Sequence, residues 1–358
     1  MAAAANPLAA EAGREMLRRG GSAIDAAIAM QAVLTLVEPQ SSGIGGGALI
    51  VLWDGQSVRA YDGRETAPAG ATEKLFLQAD GQPMPFTQAQ IGGRSVGTPG
   101  VLRALELAHR KHGRLPWAQL FEPAITLAEQ GFVISPRLHR LIAADSYIRR
   151  SAEMTAYFLN DDGSPKASGT LLKNPPLAAV LQRIAKEGPD ALYQGPIADE
   201  IARKVQGHRN AGSLSQADLN SYTAKQRAPL CTDYKQWKVC GMPPPSSGGV
   251  ALATILNVLD GYNYAKLDRV ARSHVVVESM RRAYRDRAIY LGDPDFVQVP
   301  VPLLTGKDYA AGLRAGINTE RATPSDMLPG VTVPPARPDT THFSIIDAEG
   351  NLAAVTQT

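Results

Sequence analysis

Two adjacent threonines, Thr340 and Thr341, open the run TTHFSIIDAEGN (Thr340 to Asn351), directly after a proline-rich stretch from Thr323 to Asp339. A threonine hydroxyl alone is a poor nucleophile. If the chain were cut before Thr340, the hydroxyl would sit beside its own free α-amine, a base held within reach by covalent geometry. An α-amine has an ordinary pKa of about 7.7–8.0, near working pH and suited to general-base work. The same hydroxyl could free that amine by attacking the Asp339 carbonyl. An N-to-O shift would give an ester, which water would hydrolyse. By spacing alone, TTHFSII is first of all a β-rich strand, in which threonine is common. His342 stands two residues after Thr340, on the same strand face. Because the α-amine can already serve as base, His342 is read as structural or as an aid to processing.

A second candidate, GIGGGA (Gly43 to Ala48), matches the dinucleotide pattern G-x-G-x-x-[GA]. That pattern needs a strand before it and a helix after it. Here a buried helix precedes and a β-rich run follows, so a nucleotide site is rejected. The glycines instead let a backbone pass close to another segment or a ligand.

The elements that position these residues follow from capping and periodicity. Asn6 caps a helix from Pro7 to Arg19, and Ser22 caps a second, apolar nearly all round, from Ala23 to about Leu36. ALIVLWDGQSVRAYDG reads as a hairpin turning at Asp54-Gly55. Helical patterns recur at Val101 to Lys111, Trp117 to Gln130, Pro136 to Ala143, Leu177 to Glu187, Ile197 to Val205, Ala251 to Leu259 and Ser273 to Ile289. Ser151 to Thr170 reads as a turn-rich excursion, MPPPSSGGV as a rigid turn, and Thr323 to Asp339 as an exposed linker. A sheet that starts in the N-terminal third and resumes at the last residues needs partners, some of them expected beyond Thr358.

The 358 residues suggest two domains or one large α/β domain. The net charge is +3 and the basic residues are scattered. The densest group, Arg281 to Arg287, is broken by Tyr284 and Asp286. It reads as a solvated helix face, so no nucleic-acid partner is expected. No apolar run reaches the length of a bilayer span. The start, MAAAANPLAAEAG, lacks the basic and apolar regions of a signal peptide. On that reading the protein is cytoplasmic or its signal lies outside this sequence. Cys231 and Cys240 flank a plausible hairpin, and either a disulfide or two reduced thiols fits.

The motifs together resemble the γ-glutamyltransferase family of N-terminal nucleophile hydrolases. Its processing site is T-T-H-[YF]-S followed by D-x-x-G-N, matched here by TTHFSIIDAEGN. GGSAIDAAIA, GIGGGALIV, DGRETAP, GGRSVGTPG, MPPPSSGG and YLGDPDFVQVP match further blocks in the family order. The resemblance implies an α+β fold, an αββα sandwich, incomplete here at the C-terminus. It implies a precursor cut between Asp339 and Thr340 into two subunits that stay together as a heterodimer. Residues 1–339 would be the large subunit and 340–358 the first hairpin of the small one.

By the same resemblance Thr340 is the nucleophile and Thr358 the threonine that hydrogen-bonds it. Arg64 grips the donor's α-carboxylate, a role its planar fork suits. On residues alone, a surface pair with Glu65 or Asp62 would account for Arg64 as well. The implied activity is γ-glutamyl transfer and hydrolysis. Glutathione or another γ-glutamyl compound is the donor; water, an amino acid or a dipeptide is the acceptor; no cofactor or metal is needed. The implied location is the periplasm or the cell exterior. A related acylase using another donor, such as a cephalosporin, and a non-catalytic fragment or paralogue are the alternatives.

Overall fold

The computed structural model describes residues 1–324, 327–328 and 340–358. Asp339, on the expected cleavage site, and most of the expected linker lie outside the described residues. The chain divides into two compact units. The first holds Met1–Gly55, Tyr61–Lys225 and the closing residues 340–358; the second holds Gln56–Ala60 and most of the chain after Gln226.

The first unit is built on one sheet. The sheet has six strands, five of which are β1 (Ala2–Ala3), β2 (Ala48–Trp53), β3 (Val58–Gly63), β4 (Thr341–Ile346) and β5 (Leu352–Gln357), in the spatial order β1-β4-β5-β2-β3. The closing hairpin β4–β5 is therefore inserted between the first strand of the chain and the β2–β3 hairpin. Its immediate neighbours, β1 on one side and β2 on the other, lie within the chain. β4, β5 and β2 pair antiparallel, with Gln357 opposite Thr341 on one side and Ala48 on the other. Burial alternates as a half-covered antiparallel sheet requires. Thr341, Phe343 and Ile345 face inward with Ala353, Val355 and Gln357, while His342 and Thr356 face outward.

The inward face rests on helices. α1 (Pro7–Arg18) begins where the Asn6 side chain accepts the Leu8 N–H. α2 (Ala23–Val37) begins with a reciprocal cap between Ser22 and Asp25. Fourteen of the fifteen α2 residues are buried, which explains why its sequence is apolar on every side. Ile24, Ile28, Met30 and Leu34 are fully covered. Each such side chain contributes about 1.5–3 kcal/mol on burial. Helices at Val101–His112, Glu122–Gln130 and Pro175–Glu187 complete this core. The expected helix from Trp117 is split. Its first turn is a 3-10 segment, Trp117–Phe121, and the α-helix starts at Glu122 with Pro123 in its first turn. The expected excursion at Ser151 to Thr170 contains a helix, Ala152–Phe158, capped by Ser151.

In the second unit, Leu230–Tyr234 and Trp237–Gly241 form a hairpin in which Cys231 pairs with Cys240 and is joined to it by a disulfide. The helix Arg269–Tyr290 corrects two expectations. Arg282 and Asp286, read as part of a solvated face, are 4% and 2% exposed. Arg282 donates to Glu278 Oε2 at 2.6 Å, one helical turn away, so the buried charge is matched. Thr323, read as the start of an exposed linker, is half-buried and donates its hydroxyl to the same carboxylate at 2.5 Å. Burial alone would raise the Glu278 pKa, but Thr323 and Arg282 hold it at about 2. Among the described residues no helix is long and apolar enough to cross a membrane.

The DAEGN segment has a structural meaning beyond its motif. Asp347 Oδ1 accepts the Glu349 and Asn351 backbone N–H groups at 3.0 and 2.9 Å. Its Oδ2 accepts the Asn351 side chain at 2.8 Å and the Ala23 N–H, at the start of α2, at 3.1 Å. Gly350, at φ +82°, makes the turn possible. One carboxylate thus ties the β4–β5 turn to the buried helix. Burial opposes its ionisation, but these donors outweigh that and hold its pKa below the usual value. A lowered folded-state pKa contributes stability that is full above the unfolded value of about 3.9 and is lost as pH falls through the folded value. Asp347→Asn should therefore destabilise the protein by about 2–3 kcal/mol at pH 7. It should also flatten the loss of stability below about pH 4. Urea unfolding of both proteins across pH 3–7 measures both effects.

Candidate active site

The strand ends bring the predicted residues to one end of the sheet. Continuing the β4–β5 register by one pair sets Thr340 opposite Thr358. Directly opposed strand residues have Cβ atoms about 4.5–5.5 Å apart, so a ladder continued by that pair would turn both threonine side chains to one face. Alternation makes that face the outward one, shared with His342 and Thr356, and both threonines are exposed. On the other side of β5, the Thr358 N–H donates to the Gly47 carbonyl at 3.0 Å. β3 lies next to β2, and Arg64 is the first residue after it. Thr340, Thr358, Gly47 and Arg64 thus occupy the corresponding end of four successive strands. Three strand spacings, roughly 14 Å, separate the first backbone from the last.

Arg64 is held by its backbone. Its N–H donates to Asp62 Oδ1 at 2.9 Å, and its carbonyl accepts the Tyr222 hydroxyl at 2.7 Å. Its contact with Asp62 is through the backbone N–H. The side chain is exposed. A fork fixed at its base can accept a carboxylate bidentately.

The glycine run packs backbone against backbone. The Gly46 carbonyl accepts the N–H groups of Gly100 and Val101, at 2.9 and 3.1 Å, where the helix Val101–His112 begins. A Cβ on Gly46 would collide with the Thr358 carbonyl oxygen and lie 2.8 Å from its carbon. One on Gly47 would strike the Glu65 carboxylate and lie 2.7 Å from the Gly63 oxygen. Gly46 and Gly47 therefore have to be glycine, because the segments carrying Thr358 and Arg64 press on them from two sides.

His342 has both ring nitrogens engaged on its own hairpin. Nδ1 is 2.9 Å from Thr356 Oγ1, and Nε2 is 3.2 Å from Ser344 Oγ. It sits two pairs along the strand from Thr340, on the same face. Sequence reasoning missed Tyr222, Asp347 and Gln357. Asp347 had a signal, the D-x-x-G-N spacing, whose function only the folded turn reveals.

The helices and antiparallel sheets make an α+β fold, the class of its structural neighbours. The model of the gamma-glutamyltranspeptidase family matches residues 9–358, and the chain belongs to that family. A glutathione hydrolase proenzyme of Pseudomonas sp. (strain A14) is 39% identical over 365 residues, covering 100% of this chain and 62% of its own length. An acylase ACY 1 proenzyme of Pseudomonas sp. (strain SE83) is 37% identical, covering 99% of this chain and 64% of its own length. The crystal structure of the Helicobacter pylori gamma-glutamyltranspeptidase superimposes with a TM-score of 0.87 at 35% identity, covering 91% of this chain and 94% of that one. The chain thus spans a little under two thirds of the curated relatives it matches.

The tightest contact in the site is also the simplest to probe. Gly46→Ala should push Thr358 out of its bond to Gly47 and cost about 1–3 kcal/mol, while helix content is kept. Hydrogen exchange at the Thr358 amide, with far-ultraviolet circular dichroism, checks it. An amide that stays as protected as in the wild type would contradict the packing described.

Proposed function

We propose that the protein is a γ-glutamyltransferase and glutathione hydrolase that works through a γ-glutamyl ester on Thr340. The observation that supports the reading is the β4–β5 register, whose continuation by one pair would set Thr340 against Thr358. The family match and the proenzyme relatives support it. On this reading the precursor is cut between Asp339 and Thr340. Residues 1–339 form the large subunit, and 340–358 begin the small subunit that remains paired with it.

The chemistry then follows from the geometry. The new α-amine takes the Thr340 hydroxyl proton as the oxygen attacks the donor's γ-carbonyl. Thr358 offers a hydroxyl that orients the nucleophile. The tetrahedral intermediate collapses with loss of the leaving amine, which takes back the proton. Water, an amino acid or a dipeptide then attacks the ester, with the α-amine again as base. Arg64 holds the donor's α-carboxylate and so selects glutamyl compounds. His342, hydrogen-bonded with the Thr356 and Ser344 hydroxyls, is structural or an aid to processing. No metal or other cofactor enters this scheme. The protein works in the periplasm or outside the cell, where the Cys231–Cys240 disulfide would persist.

The acylase relative keeps a second reading open, in which the acyl donor is not a glutamyl compound. Arg64 decides between the two. Arg64→Lys keeps the charge but loses the fork. Losing one charge-assisted hydrogen bond is worth about 1.5–3 kcal/mol, so KM for a γ-glutamyl donor should rise roughly ten- to a hundredfold. Cleavage before Thr340 needs no donor carboxylate and should be unaffected. Steady-state kinetics on the cleaved variant test this, and an unchanged KM would remove Arg64 from the donor site.

A further inference from the structure

Behind the outward pair of threonines, the inward face of the same strand carries a residue with no evident reason to be polar. Gln357 is 1% exposed, and its neighbours on that face of β5 are Val355 and Ala353, both buried and apolar. Its Nε2 donates to Ser42 Oγ at 2.9 Å, and Ser42 is 5% exposed. Its Oε1 is buried without a hydrogen-bond partner. A buried amide that is only half satisfied costs stability that an apolar side chain would not.

The bond links two segments that already meet at the site. Ser42 opens the glycine run that reaches Gly47, and Gly47 accepts the Thr358 N–H. Gln357 precedes Thr358 and faces Thr341 and Ala48 across the two ladders. Side chain, loop and backbone bond thus close a ring around the last position of the strand. The backbone ladder fixes where Thr358 lies along the sheet. The strut beneath restricts how far strand and loop can separate or twist at that end.

We propose that Gln357 and Ser42 are positioning residues for the Thr340–Thr358 pair. The proposal rests on the reading of Thr340 as nucleophile. Neither side chain touches the donor, since both lie under the sheet while the threonines face out. Their effect is on the angle and distance at which the Thr358 hydroxyl meets Thr340. Small displacements of a reacting group can lower the rate of a step by up to about a hundredfold.

The test is a double-mutant cycle on the cleaved enzyme with a γ-glutamyl donor, rates being normalised to the fraction cleaved. Gln357→Met keeps the length of the side chain and loses the amide; Ser42→Ala loses the acceptor. Each should lower kcat by about tenfold and leave KM within about twofold, because Arg64 is untouched. The double variant should be no worse than the worse single one, since both remove the same bond. Ser42→Thr keeps a hydroxyl and should keep most of kcat. Full kcat in cleaved Ser42→Ala, effects that multiply in the double variant, or a rise in KM alone would overturn the proposal. If Gln357→Met does not fold, the contrast between Ser42→Ala and Ser42→Thr decides the matter. A wild-type enzyme with no turnover of γ-glutamyl donors would overturn the functional reading first, and this inference with it.

Discussion

The backbone ladder joining β4, β5 and β2 is the constraint on which the site depends. Side chains in a sheet alternate with a period of two, so a slip of one residue would turn Thr340, His342 and Thr358 inward and Phe343 and Val355 outward. The apolar inward set prevents that slip: Phe343, Ile345, Ala353 and Val355 are each at most 2% exposed against the helical core. Burial of hydrocarbon on one face thereby fixes the placement of hydroxyls on the other. The catalytic geometry proposed here is a consequence of hydrophobic register more than of any polar contact in the site.

Two anchors hold that ladder at its ends. At the turn, Asp347 binds the hairpin to the first residue of α2. At the site, the glycine run lets the Thr358 and Arg64 segments approach closer than any Cβ would allow. α2 spans the distance between them, starting beside Asp347 and ending just before Ser41 and Ser42. A helix apolar on all sides suits that position, because it must be covered by the sheet on one side and by α1 and later helices on the others.

Much of this was legible in the sequence, for physical reasons that can be named. Asn6 and Ser22 mark helix starts because their side chains satisfy orphan N–H groups. Gly43 to Gly47 could be denied a nucleotide because the element before them is a helix. Less legible were features set by tertiary partners. Nothing local in Arg281 to Arg287 shows that Arg282 turns inward, since that depends on Glu278 one turn earlier and on Gly316 and Thr323 across the unit. The helix Ala152–Phe158 is short and follows polar residues, so its periodicity is too brief to register. Thr340 reads on spacing alone as an ordinary strand residue, and only the run TTHFSIIDAEGN as a whole marks it out. Gln357 has a polar side chain that points into the core, which only the folded register reveals.

The central claim is that Thr340 becomes an N-terminus and then a nucleophile, and the mass of the protein tests it most directly. Protein expressed from its complete reading frame should yield two chains, the smaller beginning at Thr340 by intact-mass and N-terminal peptide analysis. Thr340→Ala should remain a single chain under the same conditions. A wild-type protein that stays uncut, a smaller chain that starts at any other residue, or a Thr340→Ala variant that is cut as fast as the wild type would contradict the account.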